Sequence, residues 1–131
     1  MSKFNDLIIP CEPGVYIFKD SKAEIVYIGK ANNLKSRIRS YFTKSKKSQK
    51  TLKLVRKIHS IEWIIVCNEV EALLLENKLV KKHKPKYNVN LKDAKTFAYI
   101  AITKEKFPRI LTTRKPSSSL YIFGPYTEGY L

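Results

Sequence analysis

Two short segments of one pattern flank a polar loop in Gly14-Val15-Tyr16-Ile17-Phe18-Lys19-Asp20-Ser21-Lys22-Ala23-Glu24-Ile25-Val26-Tyr27-Ile28-Gly29-Lys30. Val15 to Phe18 and Ile25 to Ile28 are β-branched and aromatic, which suits a pleated, half-buried surface. Lys19 to Glu24 is polar and of hairpin length. A loop symmetric about Ser21 and Lys22 predicts that Phe18 faces Ile25, Tyr16 faces Tyr27 and Gly14 faces Gly29. Two phenols then share one sheet face, and Val15, Ile17, Val26 and Ile28 form core on the other. On the hairpin alone, Tyr16 and Tyr27 read as a cross-strand aromatic pair. Two tyrosines at a strand end followed at once by Lys30 are nevertheless more than packing requires.

Working outward, Pro10 and Pro13 hold the approach to the first strand extended. After Lys30, Asn32 or Asn33 is placed to cap a helix through Leu34, Ile38 and Phe42. Asn33, Arg37 and Tyr41 follow an i, i+4, i+8 line, so their side chains stack along one edge. Arg37 and Tyr41 can therefore lean over the sheet end that presents Tyr16 and Tyr27. Thr43 to Lys53 is polar and basic, either a mobile loop or the start of a second helix to about His59. Leu52 and Val55, with Leu54 and Ile58, give that helix a modest apolar face. Ile61 to Val66 is a nearly continuous apolar run, expected as the central or best-buried strand.

Glu69 to about Lys84 reads as a helix ended by Pro85. Its apolar positions are Ala72, Leu75, Leu79 and Val80, with Leu73 and Leu74 widening the stripe. Glu76 falls inside that stripe rather than on the charged face. A carboxylate there must be paired, protonated or metal-bound. A side chain snorkelling at the stripe's edge, or an ion pair with an arginine, accounts for it as well. Past Pro85, Asn88 can reach back with a neutral amide. Phe97 to Ile102 and Arg109 to Thr113 read as a strand pair, and Leu120 to Phe123 as a further short strand.

The 131 residues favour a single domain with a real core, and 44% hydrophobic content supports a globular chain. No apolar run approaches the roughly 20 residues that span a bilayer, and residues 1–19 lack the features of a secretion signal. Cys11 and Cys67 are too few for a disulfide framework and read as reduced thiols of a cytoplasmic protein. With His59 and His83 they do not form a zinc-ligand spacing. Lys and Arg total 26 against 11 Asp and Glu, a formal charge of +15. Such an excess self-repels unless a polyanion is present, and nucleic acid is the leading partner. An acidic membrane surface competes, but no helix pairs a strongly basic face with exposed Trp, Phe and Leu.

These segments resemble, in order, the GIY-YIG nuclease family and, within it, the amino-terminal domains of UvrC proteins. The resemblance rests on Pro13-Gly14-Val15-Tyr16, Tyr27-Ile28-Gly29-Lys30-Ala31, Asn33-Leu34-Lys35, Arg37, Ser40-Tyr41-Phe42, Glu71 to Asn77, Pro85-Lys86-Tyr87-Asn88 and Phe123-Gly124-Pro125-Tyr126. It implies an α+β fold: a small antiparallel three-stranded sheet flanked by helices, spanning residues 1–92, with a short β-rich extension over 93–131. It also implies one divalent metal, Mg²⁺ or Mn²⁺, held by Glu76. The lack of a second acidic residue on that helix face argues against a two-metal site.

By the same resemblance the chain hydrolyses one DNA phosphodiester, on the 3′ side of a lesion in nucleotide excision repair, after UvrB, with UvrA upstream, has located the damage. Tyr27 is then the general base, aided by Lys30; Arg37 stabilises the phosphoryl oxygens; and Tyr16 positions water or phosphate. Tyr41 and Asn88 orient their neighbours. The DNA contacts implied are Lys30, Asn33, Lys35, Arg37, Lys44, Lys46 and Lys47. The isolated domain is expected to be monomeric. A stand-alone GIY-YIG nuclease for branched or foreign DNA, and a basic module that binds without cutting, stay open.

Overall fold

The computed structural model describes residue 4 and residues 7–44, 46–90 and 97–127. Strands β1 (Gly14–Lys19), β2 (Ile25–Ala31) and β3 (Ser60–Ile65) form an antiparallel sheet in the order β2-β1-β3. Helices α1 (Leu34–Ser40) and α2 (Gln49–Lys57) connect β2 to β3, and α3 (Glu69–His83) and the short α4 (Lys86–Asn90) follow. Strands β4 (Phe97–Thr103), β5 (Ile110–Thr113) and β6 (Leu120–Thr127) form a second antiparallel sheet, order β5-β4-β6. The expected boundary between 92 and 93 lies outside the described residues.

The hairpin register differs from the symmetric one. Phe18 pairs with Tyr27, Tyr16 with Gly29 and Gly14 with Ala31, while Lys19 pairs with Ile25. Val26 is therefore an extra residue, bulged between two paired positions. The loop causes this: Asp20 Oδ1 accepts the backbone N–H groups of Lys22 and Glu24, and Ala23 takes a positive φ of 62°. A tight Asp-anchored turn replaces the symmetric loop. The shift is two residues, so Tyr16 and Tyr27 keep a common face. Val26 does not stay with Val15, Ile17 and Ile28; the bulge turns it into the tyrosine-side core, and Ile25 takes its place.

Asn33 is the cap of α1: its Oδ1 accepts the Ser36 N–H at 3.1 Å. The helix closes two residues earlier than its stripe suggests, because the N–H groups of Tyr41 and Phe42 bond back three residues, to Ile38 and Arg39. Ser48 caps α2, and Leu54 and Ile58 carry it onto the tyrosine face. Asn68 caps α3, which has Glu69 and Glu71 in its first turn and Lys81, Lys82 and His83 in its last, all complementing the helix dipole. It ends at Lys84, left-handed with φ 44°, just before Pro85.

Strand β3 lies at the sheet edge, and β1 is central. The apolar run Ile61 to Val66 is thus not the best-buried strand: Ile64 is 41% and Ile65 54% exposed. Helix α3 packs across β2 and β1, leaving those isoleucines uncovered. Its two apolar sides serve different sheets. Leu75, Leu79 and Val80 pack on Val15, Ile17 and Ile28, whereas Leu73 and Val70 pack with Ile100 and Tyr126 of the second sheet. The layers run α1 and α2, first sheet, α3, second sheet. Strand β6 is longer than expected, continuing through Gly124 and Pro125 as an edge strand, where proline's missing N–H is tolerated.

Candidate active site

Tyr16, on central β1, reaches past Gly29 of β2. A Cβ at Gly29 would collide with the Tyr16 hydroxyl and ring, so only glycine leaves room. The Tyr16 hydroxyl hydrogen-bonds the Tyr41 hydroxyl at 2.7 Å. Arg37, one turn before Tyr41, donates from Nε to Tyr16 Oη at 3.3 Å and from Nη2 to Tyr41 Oη at 3.4 Å. Its guanidinium also lies 5.2 Å from the Tyr41 ring centre, a cation–π distance. The Tyr27 ring sits 6.1 Å from Tyr16 and 6.4 Å from Tyr41. Phe18 completes the cluster, edge-on to Tyr41 at 5.0 Å. Its part was readable only from alternation with Tyr16, and the role of Gly29 was hidden by the symmetric register.

Glu76 approaches from the other side of the sheet. It is 1% exposed, and its Oε2 accepts the Lys30 backbone N–H at 3.0 Å. Asn88, also 1% exposed, accepts the Ile28 N–H at 2.9 Å and donates to the Ile28 carbonyl at 2.8 Å. Strand β2 is an edge strand, so these backbone groups face away from β1. Two side chains close that edge instead of a fourth strand. They pin the backbone on both sides of Gly29, next to Tyr27.

The electrostatics follow from burial. Desolvation, then the neighbouring Tyr41 and Tyr27 oxygens, hold the Tyr16 phenol well above the ordinary tyrosine range. Desolvation also raises Tyr27, helped by Tyr41 and by the Glu76 charge, while Arg37 pulls it down. Arg37 is thus a cation acting on Tyr27, and the Lys30 backbone N–H is held by Glu76. Burial disfavours the Arg37 charge, but the Tyr16 and Tyr41 oxygens outweigh this and hold its pKa above the usual value.

The expected DNA contacts are spread more widely. Lys30, Lys35 and Asn33 are half-buried, and Asn33 Oδ1 is committed to its cap. Lys44 and Lys46 are exposed, and Lys47 donates to the Thr43 carbonyl at 2.6 Å.

Glu76 itself offers carboxylate oxygens, which suit a hard cation. Among the described residues no group of three or more His, Cys, Asp and Glu comes together. A metal here would rest on one carboxylate, with water and substrate completing its shell, and Glu76 fits that pattern.

The family of UvrC-like GIY-YIG domains matches residues 12–89. This chain belongs to that family. UvrABC system protein C of Methanococcus maripaludis is 51% identical over 120 residues, covering 92% of this chain and 23% of that protein. The protein of the same name from Chlorobium phaeobacteroides is 56% identical over 123 residues, covering 92% and 19%. The chain therefore spans about a fifth of the length of these curated relatives. Among solved structures, the GIY-YIG N-terminal endonuclease domain of UvrC from Thermotoga maritima, bound to magnesium as its catalytic divalent cation, superposes with a TM-score of 0.57. It is 45% identical and covers 63% of this chain and 89% of that one. A tyrosine-to-phenylalanine point mutant of the same domain, also bound to the catalytic divalent cation, matches at 44% identity with a TM-score of 0.57, covering 63% of this chain and 88% of that one. As a UvrC-like GIY-YIG domain, the chain has the expected three-stranded sheet with helices on both faces, plus the second sheet.

Proposed function

We propose that this domain is a metal-dependent DNA endonuclease hydrolysing one phosphodiester, as the 3′-side incision unit of nucleotide excision repair. The observation that carries the reading is Glu76: a fully buried carboxylate on a backbone N–H, beside the Tyr27 phenol, with Arg37 across the same cluster. Glu76 would hold one Mg²⁺ or Mn²⁺, as the Thermotoga maritima domain holds a divalent cation. When bound, such a cation supplies positive charge for the phosphoryl group and the departing 3′ oxygen.

The remaining chemistry belongs to the side chains. Tyr27 is held neutral, so it serves as base only after its Oη proton has passed to solvent, and the proton of the attacking water then takes the vacated place on Oη. The Glu76 charge opposes that departure and Arg37 favours it. Neutralising Glu76 removes the opposing field, which makes the base and the cation site interdependent. Arg37, already aimed by two phenols, stabilises negative charge on the phosphoryl oxygens. Tyr16 and Tyr41 hold Arg37 in place, and Asn88 holds the Tyr27 strand. Lys30, Asn33, Lys35, Lys44, Lys46 and Lys47 contact the DNA backbone around this centre.

The partners proposed are damaged duplex DNA and UvrB, with UvrA acting earlier, in the cytoplasm. Among the described residues no helix is long and apolar enough to cross a membrane. Residues 1–92 form the nuclease unit, and 93–131 link it to following domains. The test is a nicking assay with Mg²⁺ or Mn²⁺ on lesion-bearing duplex, with and without UvrB. Nicking 3′ to the lesion only with UvrB is the expected result. Cutting of undamaged branched DNA without UvrB would replace the repair role by a stand-alone nuclease, and binding without any cutting would sink the enzyme.

A further inference from the structure

We infer that the outer face of α2 is a second, non-catalytic grip on the duplex phosphate backbone, separate from the contacts around Arg37. This rests on the nuclease reading for its partner, DNA. Between Glu24 and Glu62 the sequence has no acidic residue, and every charged side chain is Lys or Arg. Helix α2 lies inside that stretch. Its Leu54, with Ile58 at its C-cap, is buried against the tyrosine-side core. Lys50, Lys53, Arg56 and Lys57 are exposed. At spacings of three, four and seven they form one continuous stripe opposite the buried side.

Such a stripe is unfavourable in the protein by itself. Lys53 stands three residues from Lys50 and Arg56 and four from Lys57, so like charges neighbour one another along the face. Lys50 sits in the first turn, at the positive end of the helix dipole. Helix α3 shows the ordinary alternative, with acids in its first turn and bases in its last. A polyanion relieves the repulsion on α2: each phosphate that an ammonium or guanidinium meets releases a condensed counterion. A helix of this length covers about 14 Å, enough for successive phosphates of one strand. Helices α1 and α2 pack on the same sheet face, so duplex held by α2 lies on the side where Arg37 meets the tyrosines.

The test compares two triple variants of the full chain, both losing three positive charges. One is Lys53→Gln, Arg56→Gln, Lys57→Gln on α2; the other is Lys104→Gln, Lys106→Gln, Lys115→Gln in the loops of the second sheet. Binding of a short undamaged labelled duplex is titrated against salt in EDTA, so that no cutting occurs. Circular dichroism verifies that both variants fold. The α2 variant should lower the slope of log K against log salt by roughly 0.9 for each phosphate that is no longer neutralised, and the second-sheet variant should leave it at the wild-type value. With metal restored and DNA saturating, the α2 variant should cut at the wild-type rate while needing more DNA to saturate. Equal slopes for the α2 variant and wild type, or an equal fall in both variants, would overturn the grip. Glu76→Gln, measured alongside, keeps the full slope whether or not the domain cuts, so failure of the nuclease reading registers separately.

Discussion

Tyr27 and Glu76 are adjacent in space and opposite in what the fold does to them. Glu76 keeps a backbone donor, and Tyr27 is pushed toward the neutral phenol by burial and by that carboxylate. Tyr27→Phe should preserve folding and duplex binding while reducing the cleavage rate by roughly 10²- to 10⁴-fold, the range for a lost general base. Glu76→Gln keeps an acceptor for the Lys30 N–H but removes the charge, and should abolish the response to Mg²⁺ in the same nicking assay; unchanged metal-dependent nicking would remove Glu76 from the site. A second consequence concerns pH. Tyr16 and Tyr27 hold their protons above the pH at which unfolded tyrosines lose theirs, near 10. Above that pH the unfolded state binds fewer protons, so the stability these groups contribute at lower pH is lost as pH rises. Urea denaturation at rising alkaline pH should show the wild type losing about 1.4 kcal/mol per pH unit more than Tyr16→Phe. Parallel curves would contradict the burial of that phenol.

Strand β2 shows how much an element depends on what covers its edge. Its composition marks it as a strand, yet nothing local says that its outer N–H and C=O groups are met by Asn88 and Glu76, far along the chain. Asn88→Leu would leave the Ile28 N–H and C=O buried without partners, costing about 1–3 kcal/mol for each. Chemical denaturation would measure that loss, and amide exchange should accelerate first along β2. Among the helices, the Asn33 cap was readable because capping is local, decided by a side chain and the N–H three residues on. The β3 apolar run misled because hydrophobicity reports burial in general and not which strand is central; the sheet order puts β3 at the edge, and α3 packs on β2 and β1 instead.

At the scale of the molecule, α3 is the shared wall of two sheets. Its apolar stripe is wide because each side serves a different partner, with Leu73 turned to Ile100 and Leu75, Leu79 and Val80 turned to β1 and β2. Leu73→Ala should destabilise the fold by about 2–5 kcal/mol, the range for a truncated buried leucine. Its exchange signature should centre on β4, with the β1–β2 hairpin less affected. Equal loss in both sheets would mean that they unfold as one unit.

The chain's order of residues determined everything that depends on neighbours: the two hairpin strands, the Asn33 cap, the α3 helix with its misplaced Glu76, and the basic excess. It also put Tyr16 and Tyr27 on one face, because a two-residue register error leaves strand parity unchanged. Tertiary structure alone decided the edge position of β3, the slot that Gly29 leaves for Tyr16, and the closing of β2 by Asn88 and Glu76. Those features arise from contacts between segments distant in sequence, where packing and the need to satisfy buried backbone groups choose among arrangements that local propensity leaves equivalent.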